Sequence, residues 1–102
     1  MSANPWRGEA SLRVNGETLT IRPSFAALVA AEEELGPLFA LVERAADGGM
    51  SLIEMAALFD HLSRPRPEAI DRARIGEALV EQGLAKVSPL LRTVLGQILQ
   101  GR

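Results

Sequence analysis

The sequence has no cysteine, and it is poor in several other things: one histidine, one tryptophan, 4% aromatic residues overall and a net charge of only −2. Without cysteine there is no disulfide, no thiolate zinc site and no Cys nucleophile, which suits a reducing compartment. So small a net charge supplies no overall field to draw in nucleic acid or an anionic membrane. No stretch approaches the ~20 apolar residues that cross a bilayer, and the first residues lack the apolar core of a signal peptide, so a cytoplasmic location is expected. No internal repeat is evident, and the one biased stretch, Arg64-Pro65-Arg66-Pro67, reads as a loop. With aromatics scarce, the core must come from Leu, Ile, Val and Ala, which favours helices packed on helices.

What is present fits one globular domain of 102 residues, with 47% hydrophobic and 24% charged side chains. At this length folding removes roughly two-thirds of the unfolded chain's surface from water. The expected class is mainly α: an N-terminal arm over 1–8, a two-stranded β-hairpin over 9–22 and a compact bundle of four to five short helices over 24–100. The hairpin has the strongest local signal. Ala10, Leu12 and Val14 alternate with polar residues, as do Leu19 and Ile21, and Asn15-Gly16 between the runs suits a type I′ turn. A lone ribbon of this size is marginal in water, so it must dock on the bundle or extend a partner's sheet.

After Pro23 the period turns helical. Ser24 can cap a first helix whose Phe25, Leu28, Val29 and Leu35 gather on one side, and Gly36 stops it. Pro37 can open a second helix with Leu38, Leu41, Val42 and Ala45 in phase. Ser51 and Glu54 have the spacing of a capping box for a third helix to about Leu62, whose broad apolar arc of Leu52, Met55, Ala56, Leu58, Phe59 and Leu62 predicts the spine of the core. Ile75, Leu79 and Val80 mark a fourth helix ending near Gly83, and Ser88-Pro89 reads as cap and N1 of a last one.

Candidate sites are sparse. On the last helix Leu90, Leu91, Val94, Leu95, Ile98 and Leu99 occupy roughly half the circumference. Either both flanks are buried within the monomer, or an edge such as Leu90 and Leu99 stays open to a partner helix or a second subunit. Glu32 falls inside the first helix's apolar face, where it must sit at an edge, pair with an arginine, or serve recognition; Glu33 and Glu34 fall outside. Trp6 precedes the hairpin and can staple it to the bundle or anchor a partner. His61, beside Asp60 near a helix end, lacks the three or four converging ligands of a zinc site. Arg64, Arg66, Arg72 and Arg74 are interleaved with Glu68, Asp71 and Glu77, which reads as solvated loop charge rather than a nucleic-acid face. No nucleophile elbow, phosphate-binding loop or HExxH helix is present, so neither catalytic residues nor a cofactor is assigned.

Taken in order, Asn4-Pro5-Trp6-Arg7-Gly8-Glu9, the Asn15-Gly16 hairpin, the 28–36 segment ending Glu34-Leu35-Gly36, and Ile75-Gly76-Glu77-Ala78-Leu79-Val80-Glu81-Gln82-Gly83 resemble the gene transfer agent family of phage-tail-type proteins. These are small proteins classed with tail assembly chaperones and also labelled tail tube proteins. The resemblance implies a non-enzymatic part in building a tail, as a chaperone for the tape-measure protein until tail tube subunits displace it, or else as a structural piece of the particle. A tube subunit needs long paired strands to close a ring, whereas this pattern offers two short ones, so the chaperone is favoured. The implied partners are the tape-measure and tail tube proteins, with self-association open and neither nucleic acid nor membrane expected. A small nucleic-acid-binding regulator is a more distant reading that rests on the arginine loop alone.

Overall fold

The computed structural model describes residues 10–100. Strands β1 (Ala10–Val14) and β2 (Glu17–Ile21) form an antiparallel hairpin, followed by helices α1 (Phe25–Leu35), α2 (Leu38–Ala46), α3 (Leu52–Leu62), α4 (Arg72–Gln82) and α5 (Leu84–Gln100). Asn15 and Gly16 have φ of 54° and 78°, the positive pair that a type I′ turn requires. The turn sets the register Val14↔Glu17, Leu12↔Leu19 and Ala10↔Ile21. That places Leu12, Val14, Leu19 and Ile21 on one face, and all four are buried. The hairpin therefore docks on its own helices: β1 against α4 and α5, β2 against α3.

Helix α3 is the centre of the structure, packed on α1 and α4. Ser51 opens it with a complete capping box, its hydroxyl accepting the N–H of Glu54 while the Glu54 carboxylate accepts the N–H of Ser51. Every residue from Met55 to Leu62 is buried, although Leu52 lies at the exposed edge. Full burial of a side chain such as Phe59 or Leu58 contributes about 1.5–3 kcal/mol. Arg44 at the end of α2 reaches back to Glu54, tying the two helices across their loop.

Three expectations need correction. Phe25 is not in the core but 85% exposed. Helix α1 packs on α3 and its buried side is centred on Ala31, with Ala27, Leu28 and Leu35 partly buried beside it; at 100° per residue Phe25 lies about 120° around the helix from Ala31. Val80 is exposed too, because Ile75, Ala78 and Leu79 define the buried side of α4. The last helix does not begin at Ser88. Gly83, at φ 88°, ends α4 by donating to the carbonyls of Leu79 and Val80, and its own carbonyl accepts from Lys86 and Val87 to start α5. Pro89 then lies inside α5, where its missing N–H removes one backbone bond, and the Ser88 hydroxyl bonds the Leu84 carbonyl instead of capping.

Candidate functional site

Two features stand out from the fold, an apolar groove and an ionic cluster. The groove follows from the geometry of α5. Leu91, Val94 and Leu95 recur at i, i+3, i+4 and are buried, Leu90 and Ile98 flank them half-buried, and Leu99 is 52% exposed. Across from α5, helix α2 presents Val42, Ala45 and Ala46. The small side chains at Ala45, Ala46, Gly48 and Gly96 cannot fill the space between the helices, and a groove of about 540 Å³ results. Its walls are Val42, Leu91, Leu95 and Leu99, with Ser88 and Arg92 as polar groups.

Of the residues singled out on the sequence, Leu91, Leu95 and Leu99 are thus brought together with α2. Leu90, Val94 and Ile98 do not line the groove, and Val94 has no exposed surface. Glu32 is separate: it is exposed, and its Oε2 accepts the N–H of Leu38 at 3.0 Å, capping α2, which lacks a side-chain cap at Pro37. Trp6 lies outside the described residues.

Of the charges read from the sequence as solvated, Glu68, Asp71, Arg74 and Glu77 are indeed exposed, but the reading is corrected for Arg66 and Arg72, which belong to an ionic cluster. Asp60, buried on α3, accepts from Arg64 and Arg72 at 3.0 Å each and from Arg66. Arg66, itself largely buried, also donates to the carbonyls of Ile70 and Asp60 and to the Ser63 hydroxyl. Arg72 bridges onward to Glu34 at the end of α1, whose Oε1 lies 2.7 Å from His61 Nε2. Because an ionised carboxylate only accepts, Nε2 of His61 carries a proton, and the buried Nδ1 has no hydrogen-bond partner among the described residues.

Electrostatics follow this geometry. Hydrogen bonds from Arg72 and then His61 lower Glu34 to about 2. Burial raises Asp60, but hydrogen bonds from Arg72 and Arg66 outweigh it and leave the carboxyl below its ordinary value. Arg72 is correspondingly raised, chiefly by Glu34. The cluster joins α1, α3, the 63–71 loop and α4, with its charges facing one another rather than a ligand. Its one sequence signal was an acid, Asp60, inside an otherwise apolar run.

No helix among the described residues is long and apolar enough to cross a membrane. Fold and surface define a small hairpin-and-helix protein whose buried charges close on one another and whose apolar relief lies between two helices. No curated protein and no solved structure matches the chain. The family described as phage tail tube protein, GTA-gp10, matches residues 7–101, and the chain belongs to it. The family is one of non-enzymatic tail structural and assembly proteins, which makes other tail components its general partners.

Proposed function

We propose that the protein is a tail assembly chaperone that holds a hydrophobic helical segment of the tape-measure protein until tail tube subunits take its place. The observation that carries this reading is the groove between α2 and α5, bounded by two helices and walled by Val42, Leu91, Leu95 and Leu99. An amphipathic helix laid into such a groove buries anchors at i, i+3, i+4 and i+7. Arg92 at its side suits a segment that carries an acidic residue next to those anchors.

Gly96 offers a direct test, since a side chain added there meets nothing within 4 Å and projects from a groove wall. Co-expression with the tape-measure protein is expected to keep that protein soluble, and Gly96→Trp is expected to abolish the effect while leaving this chain folded. A tape-measure protein equally insoluble with and without the wild-type chain would sink the proposal.

The family's description favours a second reading, a structural component of the tail tube. It predicts the protein in purified particles, detectable by mass spectrometry. Against it, the described residues contain a single two-stranded sheet, a small basis for closing a ring of strands. Little supports the nucleic-acid reading, because three of the four clustered arginines, Arg64, Arg66 and Arg72, are engaged by Asp60 and Glu34.

A further inference from the structure

The hairpin has a second side that the docking of its apolar face does not use. In a hairpin with a two-residue turn the flanking residues, Val14 and Glu17, exchange both ladder bonds, and pairs alternate from there. Arg13, Ser11, Thr18 and Thr20 therefore turn their N–H and C=O groups away from the partner strand. Two bonds agree with this parity. The Arg13 carbonyl accepts from Gln82 Nε2 at 2.7 Å, and the N–H of Arg22, next in the outward series on β2, donates to the Leu62 carbonyl at 2.7 Å. The outer edge of β1 is thus met by α4 at the Arg13 carbonyl, and that of β2 is closed at one end by the last turn of α3.

Between the hairpin turn and Leu62, the backbone groups of Thr18 and Thr20 have no partner among the described residues. The central stretch, Thr18-Leu19-Thr20-Ile21, carries no charge, proline or bulge, although Glu17 and Arg22 place a charge at either end of this short strand. We infer that the edge of β2 is a β-augmentation site, which takes a short extended segment of another polypeptide through the N–H and C=O groups of Thr18 and Thr20.

A second copy of this chain fits poorly. Antiparallel pairing of β2 with itself uses both threonines of both copies only when centred on Leu19. That register places Gly16 of the copy opposite Arg22, where the Leu62 carbonyl already sits. A lone segment that turns away at Leu62 meets no such obstacle. It must be free of proline where it donates, and alternation of apolar and polar residues lets it continue the faces of Leu19 and Thr20.

The probe is a short blocked peptide alternating valine and threonine between terminal lysines, added to the isotope-labelled full chain. Exchange of the Thr18 and Thr20 amides with solvent is read by NMR. With the peptide at about nine times its Kd, both amides are expected to slow by about tenfold, because only the free tenth of the molecules exchanges. Leu19, whose N–H is already in the ladder, should change little. Thr20→Pro removes an outward N–H while sparing the hairpin's own ladder, and is expected to abolish the protection; Thr18→Pro is the second variant should the first not fold. Unchanged exchange at both threonines in the wild-type chain, or protection of both before peptide is added, would overturn the inference. Neither result bears on the groove, which is tested by Gly96→Trp.

Discussion

Replacing Asp60 by asparagine tests whether one buried acid organises the end of the bundle. The substituted side chain would keep a single carbonyl oxygen and turn an amide NH₂ toward guanidinium groups that now meet a carboxylate. The cost can be divided among the three arginines. Arg64 is 56% exposed and returns to water at little expense, and Arg72 retains Glu34. Arg66 is the sensitive partner: only 12% exposed, it would keep neutral acceptors at Ile70, Ser63 and the backbone carbonyl of position 60 but lose its counter-charge. Breaking a buried pair in this way costs about 3–5 kcal/mol, a large part of the ~5–15 kcal/mol that holds a typical domain together. With a urea m-value of about 1.5 kcal/mol/M, the unfolding midpoint should fall by about 2–3 M. Glu34→Gln is the internal comparison. Glu34 and Arg72 are each about 40% exposed, so solvent screening keeps that loss below about 1 kcal/mol. The assay is urea unfolding followed by far-UV circular dichroism at neutral pH. Equal midpoint shifts for the two variants would show that the cluster is not anchored on Asp60.

Three further outcomes are expected. Ser51→Ala removes the hydroxyl that accepts the N–H of Glu54 and should cost about 1 kcal/mol by urea unfolding, whereas Ser51→Asp should nearly restore the cap. Gly96→Ala adds a methyl group into open space within a helix and should stabilise the chain by about 0.5–1 kcal/mol, raising Tm by a few degrees in a thermal melt. Glu34, Glu54 and Asp60 are all depressed in the folded chain, so the stability they contribute is complete above their unfolded values and is lost as the medium acidifies. For Glu34 that window runs from 4.5 down to about 2, and Glu34→Gln should flatten this part of the profile of urea midpoint against pH.

Much of the fold could be read locally. Asn15-Gly16 specified the turn and thereby the register, Ser24 and the Ser51–Glu54 pair marked two helix starts, and Gly83 marked an end. The same kind of reading failed at Ser88-Pro89. A cap followed by proline is a good start signal, but Gly83 already supplied a first turn, and a proline six positions into a helix removes only one bond. The groove was half legible: the arc of α5 pointed to Leu91, Leu95 and Leu99, but nothing in their periodicity identified α2 as the opposite wall.

By itself, then, the sequence determined the hairpin, a bundle of four to five helices, the caps that open α1 and α3, and the apolar seams available for packing, because caps, turns and periodicities act over four residues or fewer. Tertiary structure decided which side of α1 is buried, since packing on α3 with Ala31 innermost leaves Phe25 facing outward. It also decided that Arg66 and Arg72 tie elements of the fold together. Arg72 meets Asp60 across 12 positions and Glu34 across 38, and a carboxylate meets a guanidinium over such separations only once α1, α3 and α4 are packed. The edge of β2 belongs to both levels: the turn fixed which backbone groups face outward, and the reach of α3 decided how many of them remain open.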